Sequence, residues 1–166
     1  MNLDEGKRQF IESWGQLGIN WGTNKTMGMV HALLLMTPHP MCADEIMEQL
    51  EISRGNVNIN TRTLIDWGLV HKKFKKGERK EYFIAEKDVV KIFKAVIYQR
   101  KKKEFDPMLK VLEEIKNVER NCEESNEFCN VVNGLYQFSN QADKALTNLV
   151  QTEPKWIFGA MMRFMH

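Results

Sequence analysis

The sequence predicts a mainly α-helical fold of the α+β class with one small β hairpin. Apolar residues recur at the helical period of about 3.6 residues over most of the 166-residue chain. Two short runs near the middle, residues 69–74 and 81–85, instead have the pattern of strands on either side of a tight turn. The hydrophobic share of 43% and the charged share of 28% are typical of a soluble globular protein, so a disordered chain is excluded.

The sequence shows neither a targeting segment nor a membrane span. Residues 1–6 lack the form of a signal peptide. The longest apolar run, residues 29–36, is far shorter than the roughly 20 residues that span a bilayer. We therefore expect a cytoplasmic protein.

Two helices are predicted before residue 37. The first covers residues 4–17, and its large side chains follow a heptad-like spacing that favours packing against another helix, from this subunit or a second one. These side chains are Phe10, Trp14, Leu17 and Trp21. Three glycines are expected to interrupt the segment: Gly15, Gly18 and Gly22. The second helix runs from about Asn24 to Met36 and is ended by Pro38 and Pro40.

The next two helices are short and are separated by a tight corner. Residues 43–50 have apolar side chains on one face, and Ser53 is a suitable N-cap for a helix over residues 53–65. The inward face of this second helix is apolar, with Val57, Thr61, Leu64 and Ile65. Its outward face carries Arg54, Asn56, Asn58, Ile59 and Arg62. Amides and guanidinium groups can pair bidentately with adenine and guanine edges, so this face favours DNA recognition.

A basic hairpin follows this helix after Gly68. Its turn carries four cations, Lys75, Lys76, Arg79 and Lys80, with Glu78 as the one carboxylate. A helix pair followed by a basic hairpin is the outline of a winged helix-turn-helix, a mainly α fold with a two-stranded wing. In that fold the second helix enters the major groove, and the wing meets phosphate or the minor groove. Two ordinary helices of an all-α domain are the alternative interpretation.

Positive charge is concentrated in the hairpin and the helix after it. Residues 71–103 contain 13 Lys and Arg against 4 Asp and Glu, although the whole chain has a net charge of only +2. Such a concentration is typical of a polyanion-binding face. A solvated lysine-rich surface is the alternative for residues 100–103 taken alone.

Catalytic and metal-binding patterns are missing from the sequence. The three cysteines form no CxxC motif, and the four histidines are scattered, so we predict neither a zinc site nor a cofactor. Cys42 begins a helix, where a thiol can become reactive, but a small buried core residue is the favoured interpretation. No nucleophile and base pair or phosphate loop is present, so we predict that the protein is not an enzyme.

The C-terminal half is predicted to be helical. One helix runs from about Val89 to Glu104, and Asp106-Pro107 marks either a fresh N-cap or a kink before a helix that continues to about Arg120. Apolar residues then stay in step over residues 128–149, which favours a dimer interface, with an antiparallel hairpin inside one subunit as the alternative. Residues 154–165 begin with proline and are expected to cap the dimer core, with a membrane-surface anchor as the alternative.

The segment ISRGNVNINTRTLIDWGLV at residues 52–70, followed by KGERKEY at residues 76–82, resembles the GbsR/MarR-type transcriptional regulators. The likeness is strong over about residues 24–90. It implies a homodimeric winged-helix regulator, which we expect to be a repressor, on a palindromic operator in double-stranded DNA. It also implies a DNA-binding domain over residues 24–90, with a dimerisation helix over residues 1–23 and a helical dimerisation region over residues 91–166.

The resemblance also implies roles for individual residues. Carried over by position, Ser53, Arg54, Asn56, Asn58 and Arg62 would face the major groove. Lys75, Lys76, Arg79 and Lys80 would form the wing contacts. A winged-helix protein-interaction or architectural module without operator specificity is the alternative function.

Best-known members of this family sense choline or regulate glycine betaine genes, which implies a small-molecule effector such as a quaternary ammonium compound. Such a ligand needs an aromatic cage, because its charge is held by ring faces. The candidate cluster is Phe10, Trp14 and Trp21, for which a packed interhelical core is the alternative.

Overall fold

The structure is a computed structural model that describes residues 1–152, and the predicted segment 154–165 lies outside them. The chain divides into two compact units, and the second begins at Phe93. The helices are α1 (Leu3–Asn20), α2 (Lys25–Met36), α3 (Ala43–Leu50), α4 (Arg54–Asp66), α5 (Val89–Arg100), α6 (Asp106–Ile115) and α7 (Glu123–Gln151). The strands are β1 (Met41–Cys42), β2 (Val70–Phe74) and β3 (Glu81–Ala85). None of the helices described is long and apolar enough to cross a bilayer.

Helix α1 packs closely on α2 through glycines. Gly15 and Gly18 were expected to interrupt α1, but both are buried within a helix that continues to Asn20. A Cβ atom built on Gly28 of α2 would lie 2.6 Å from the carbonyl oxygen of Trp14 and 2.8 Å from Cα of Gly15. The glycines therefore allow two helix backbones to meet, and that contact stabilises the helix instead of ending it.

Helices α2, α3 and α4 enclose the core of the first unit. Val30, Ile46, Val57 and Leu64 contribute to it, and each is at most 1% exposed. Glu51 ends α3 in the left-handed region at φ 53°, and Ser53 then caps α4 by accepting a hydrogen bond from the backbone N–H of Asn56 at 3.3 Å. The corner between α3 and α4 thus consists of residues 51–53, and its last residue satisfies a backbone N–H in the first turn of α4.

The sheet has three antiparallel strands in the order β1, β3, β2. Strands β2 and β3 form the predicted hairpin, but the prediction of a two-stranded wing omitted β1. In β1, Met41 pairs with Phe83 and Cys42 pairs with Tyr82. A strand of two residues shows no alternation of apolar and polar side chains, so periodicity could not predict it. Its consequence is that the hairpin is hydrogen-bonded to the start of α3.

The second unit contains most of α5, a π-helical segment and α6. The π-helical segment, Lys101–Phe105, lies between α5 and α6. Phe105 and Asp106 have right-handed helical dihedral angles, so the chain passes from α5 into α6 without a fresh extended N-cap. Pro107 lies in the first turn of α6, where its missing N–H costs no hydrogen bond within that helix.

Helices α6 and α7 form an antiparallel pair. The Tyr136 hydroxyl donates a hydrogen bond to Glu113 at 3.3 Å, and the Cys129 thiol donates one to the carbonyl oxygen of Val118 at 3.3 Å. Further along, Nζ of Lys101 lies 2.8 Å from a carboxylate oxygen of Asp143. The hairpin inside one subunit, which the sequence left as the alternative, accounts for this face of α7.

A different face of α7 is exposed. Phe128, Val131, Leu135 and Phe138 follow at steps of three, four and three residues and are 42–71% exposed. We call these four side chains the outer seam. The sequence pattern did not distinguish the outer seam from buried neighbours such as Val132, because the exposed and the buried apolar residues recur at nearly the same period.

Candidate nucleic-acid interface

The outward face of α4 is mostly polar and is exposed to solvent. Its exposed side chains are Arg54, Asn56, Asn58, Ile59 and Arg62, as the sequence predicted. Ile59 is 65% exposed and is the apolar residue on this face. Amide, guanidinium and apolar groups together can contact adenine, guanine and the thymine methyl group. The face therefore has the chemistry of a base-reading helix, with Ser53 at its start as the N-cap.

Asn60 lies on the inner side of α4 and is 3% exposed. Its side chain accepts a hydrogen bond from Nδ2 of Asn24 at 3.0 Å and donates one to the carbonyl oxygen of Asn56 at 2.8 Å. Asn24 is also the N-cap of α2, where its Oδ1 accepts from the backbone N–H of Met27 at 2.8 Å. Asn60 thus fixes α4 against the start of α2. Sequence reasoning missed this residue, although an amide on the buried side of a helix was a signal that it has a partner.

Tyr82 holds the tip of the wing. Its hydroxyl donates a hydrogen bond to the carboxylate of Glu78, and Nζ of Lys75 lies 3.9 Å from the centre of its ring. The bond to Glu78 raises the pKa of Tyr82 to about 12, with burial of the ring as the second cause, so the hydroxyl stays protonated. At the turn, Gly77 has φ 86° and Glu78 donates its backbone N–H to the carbonyl oxygen of Lys75 at 3.1 Å. The tip of the wing is therefore a hydrogen-bonded turn in which the ammonium group of Lys75 lies over the ring of Tyr82.

Asp44, at the start of α3, joins the wing to α4. One carboxylate oxygen accepts a hydrogen bond from Arg54, and the other accepts from Nζ of Lys80 at 3.0 Å. The hydrogen bond from Lys80, and then the charge of Arg54, lower the pKa of Asp44 from its ordinary value. The hydrogen bond to Asp44, and then the charge of Asp44, raise the pKa of Lys80. We call this arrangement the Asp44 bridge. No local sequence pattern predicts this bridge, because Asp44 and Lys80 are 36 positions apart.

A cleft of about 290 Å³ lies between α3, α4 and the hairpin. Its charged lining comprises Asp44, Arg54, Arg79, Lys80 and Glu81. Glu81 is bound to Lys72 at 2.8 Å, so the cations of the cleft face only one further carboxylate, that of Asp44. In the cleft, residues of α4 and of the wing that were predicted to contact DNA therefore surround the carboxylate of Asp44.

Other predicted cations extend freely into solvent. Arg62, Lys76 and Arg79 are exposed and make no ion pair with any residue in the part of the chain that the structure describes. Unpaired cations can approach phosphate without first losing a protein partner. The nine predicted contact residues are thus of two kinds. Some, including Arg54, Lys75 and Lys80, already interact with another side chain of the protein, and others, including Arg62, Lys76 and Arg79, extend into solvent.

Lys87 fixes the end of β3 to the core. Its Nζ donates to the carbonyl oxygens of Leu34 at 2.7 Å and Thr37 at 3.0 Å, which lie at the C-terminal end of α2. A cation is favourable there, because the last carbonyls of a helix have no partner within it. Burial lowers the pKa of Lys87 from its ordinary value. This residue positions the wing strands on α2, and it too was missed.

The residues predicted to bind an effector lie together on α1 and at its C-cap, and all three are half-buried. The rings of Phe10 and Trp14 are stacked with centroids 5.1 Å apart, and Trp21 meets Trp14 edge-on at 5.9 Å. The indole N–H of Trp14 donates to Nδ1 of His31 at 3.2 Å. Every ring of the cluster contacts another ring, as in a packed interhelical core. A role in effector binding stays a prediction.

Cys42 is buried at 7% exposure and is the N-cap residue of α3. Its backbone N–H donates to the carboxylate of Glu45 at 2.6 Å, and its strand pairing with Tyr82 places it beneath the wing. These contacts agree with the favoured interpretation of a small core residue. Within residues 1–152, no group of three or more His, Cys, Asp and Glu side chains could hold a metal ion.

Comparison with known proteins gives relatives that match about half of the chain. No protein-family model matches the sequence. The chain is 29% identical over 91 residues to the HTH-type transcriptional repressor GbsR of Bacillus subtilis, and this alignment covers 55% of the chain and 50% of that repressor. It is 26% identical over 91 residues to the HTH-type transcriptional repressor OpcR of the same organism, with 55% and 49% covered. The chain thus matches about half the length of these curated relatives.

A solved structure shares the fold over most of the chain. The crystal structure of a transcriptional regulator superposes with a TM-score of 0.61 at 17% identity, and it covers 87% of this chain and 95% of that one. Both named relatives are transcriptional repressors. These findings confirm the resemblance seen in the sequence: the chain is similar to HTH-type transcriptional regulators, GbsR and OpcR among them, and it shares its fold with a solved transcriptional regulator.

Proposed function

We propose that this protein is a sequence-specific DNA-binding repressor that acts as a homodimer on a palindromic operator. The observation that carries the proposal is the exposed amide and guanidinium face of α4 beside a basic wing, with the Asp44 bridge between them. Its named relatives GbsR and OpcR are repressors, which supports the direction of regulation. We assign DNA binding to residues 24–90 and dimerisation to residues 1–23 and 91–166.

In this proposal α4 lies in the major groove. Asn56, Asn58 and Arg62 read base edges, because their side chains are exposed and have no partner within the described residues. Lys76 and Arg79 at the wing contact phosphates, which set the register of the protein on the duplex but carry no sequence information. Two recognition helices in a dimer would enter successive major grooves about 34 Å apart.

The outer seam of α7 supports the homodimer. Its four large apolar side chains, Phe128, Val131, Leu135 and Phe138, lie along one stripe of a helix of 29 residues. The alternation of three and four residues is the spacing at which one helix packs against a second along a coiled-coil seam. A second copy of the same chain presents the same seam, and a twofold axis lets each copy cover the other.

A small-molecule effector belongs to the same proposal, with Phe10, Trp14 and Trp21 as its candidate contacts. It would act by preferring one of two arrangements of the recognition helices, since a ligand shifts an equilibrium only through unequal affinity for the two states. Calorimetry of choline binding with and without operator measures this difference. Equal affinity in both titrations would remove the effector from the proposal.

The test of DNA recognition is a selection of bound fragments from random and genomic DNA pools with the full chain. We expect recovery of an inverted repeat, with affinity that falls steeply between about 50 mM and about 200 mM salt. Salt-sensitive binding without a preferred sequence would contradict operator recognition and favour an architectural role. Absence of any DNA binding would contradict the proposal and favour a protein-interaction module.

A further inference from the structure

Two cations from separate parts of the interface converge on one carboxylate. Arg54 begins α4, Lys80 ends the wing turn, and each binds a different oxygen of Asp44. Both positions were predicted to contact DNA. In the free protein, however, their charges are satisfied by a side chain of α3, so neither is available to phosphate unless Asp44 gives it up.

Asp44 holds these cations where an outside anion would fit. The cleft of about 290 Å³ is open to solvent and has Arg54, Arg79 and Lys80 on its walls with Asn58 beside them. Three cations and an amide form a suitable set of donors for a phosphate group. The carboxylate of Asp44 already occupies part of that donor set from inside the protein.

The bridge is built so that it can be exchanged. The side chains of Arg54, Asp44 and Lys80 are 60%, 45% and 61% exposed. Exposed ion pairs are weak in water, because solvent and salt compete for both partners. A duplex offers many phosphates at close spacing, so it can displace a single exposed carboxylate. Asp44 remains fixed on α3 after displacement, where it faces the polyanion.

We propose that Asp44 is an internal competitor for DNA, whose carboxylate occupies in the free protein the anion position that a backbone phosphate takes in the complex. This inference rests on the proposed function, since it concerns the same interface. Its consequence is that the wild-type protein binds DNA more weakly than its cations alone would allow. Where the DNA sequence offers α4 good base contacts, those contacts offset the free energy lost when Asp44 is displaced. Other DNA sequences provide no such offset.

The test is Asp44→Asn, which keeps the shape of the side chain and removes its charge. We expect tighter binding to random-sequence DNA by about tenfold, because two cations lose their internal partner. We also expect a steeper salt dependence by up to about one unit of slope, since a displaced Asp44 takes up a solution cation and so reduces net ion release. Asp66→Asn is the matched control: Asp66 is exposed at the end of α4 and makes no ion pair with a described residue.

The outcomes separate the inference from the proposed function. Higher affinity for random-sequence DNA in Asp44→Asn, with no increase in Asp66→Asn, supports the inference. Equal gains for both variants, or no gain for Asp44→Asn in a protein that binds its operator, would overturn the inference and leave the proposed function standing. Thermal unfolding of both variants checks that the fold is kept.

A second measurement needs no DNA. Inorganic pyrophosphate is titrated against the full chain while the side-chain NMR resonance of Arg54 is followed. We expect tighter binding by Asp44→Asn than by the wild-type protein or by Asp66→Asn, because the anion position is empty in that variant. Equal pyrophosphate affinities in the three proteins would overturn the inference alone, whereas failure of the wild-type protein to bind any DNA would overturn the proposed function and the inference with it.

Discussion

The indole N–H of Trp14 donates a hydrogen bond to Nδ1 of His31 across the contact between α1 and α2, at 3.2 Å. This bond requires a neutral imidazole with its hydrogen on Nε2, because Nδ1 acts as the acceptor. His31 is 3% exposed, and its Nε2 has no hydrogen-bond partner among residues 1–152. Protonation of Nδ1 would place two N–H donors face to face in a buried position.

The first prediction is a loss of stability in mild acid. Burial, and then the charge of Lys87, lower the pKa of His31 from 6.5 to about 4. The unfolded chain therefore binds a proton that the folded chain does not, and the stability present above pH 6.5 declines as the pH falls toward 4. We expect a loss of roughly 2 kcal/mol in the free energy of unfolding between about pH 7.5 and about pH 5 from this group.

Urea unfolding at both pH values checks this prediction. His31→Gln should remove most of the difference, since glutamine does not titrate. His39→Gln is the control, because His39 is exposed in the turn after α2. An unchanged pH dependence in His31→Gln would show that other groups cause the acid sensitivity.

The second prediction concerns the close contact of α1 and α2. Gly28→Ala would place a methyl group 2.6 Å from the carbonyl oxygen of Trp14, and a helix backbone cannot yield as a side chain can. We expect destabilisation by about 1–3 kcal/mol, as for other overpacked sites. Gly6→Ala is the matched control, because a Cβ at Gly6 in α1 meets nothing within 4 Å. It should stabilise the protein by roughly 0.5–1 kcal/mol through helix propensity.

Differential scanning calorimetry of both variants separates packing from propensity. Opposite shifts of the melting temperature agree with the contact. Equal small shifts in the two proteins would mean that α1 moves away from α2 without cost.

Local patterns account for what the sequence could predict. Helix α4 and the hairpin were predicted to within about one residue, because the helical period, the Ser53 cap and the turn at Gly77 are all encoded by neighbouring residues. The exposed residues of α4 followed from the same period. The order of helix pair and basic hairpin then sufficed for the fold class.

Long-range contacts account for the features that the sequence could not predict. The Asp44 bridge and the bond between Asn24 and Asn60 each join residues 36 positions apart, so they depend on the folded arrangement of three helices and the wing. Glycine in α1 was expected to end the helix because propensity ignores the neighbouring helix, and at Gly15 that tertiary contact decides. The exposed and the buried faces of α7 were likewise not distinguished, because packing against α6 decides which face is buried.

The third prediction separates base reading from phosphate contact, and it rests on the proposed function. Lys76→Ala should weaken binding to every DNA sequence alike and reduce the salt slope by about 0.9, the value for one lost phosphate contact. Arg62→Ala should instead relax base choice at one operator position by about 1–3 kcal/mol. Lys110→Ala, an exposed cation on α6 in the second unit, is the control for simple loss of charge.

Competitive binding to a library of operator variants at two salt concentrations measures both effects. Uniform loss for Lys76→Ala and position-dependent loss for Arg62→Ala would agree with the division of roles. If both variants lose specificity equally, α4 and the wing do not divide the work in this way.

The fourth prediction concerns the outer seam of α7. Leu135 is 51% exposed between Val131 and Phe138, so a homodimer through this seam would bury it. Leu135→Glu would place an unpaired carboxylate in an apolar interface, which costs several kcal/mol unless the subunits separate. We expect the dimer dissociation constant to rise by more than about tenfold, which corresponds to about 1.4 kcal/mol. Gln137→Glu adds the same charge to an exposed position outside the seam and should leave assembly unchanged. Sedimentation velocity over a range of concentrations measures the assembly, and a Leu135→Glu protein that dimerises like the wild-type protein would show that the subunits meet elsewhere.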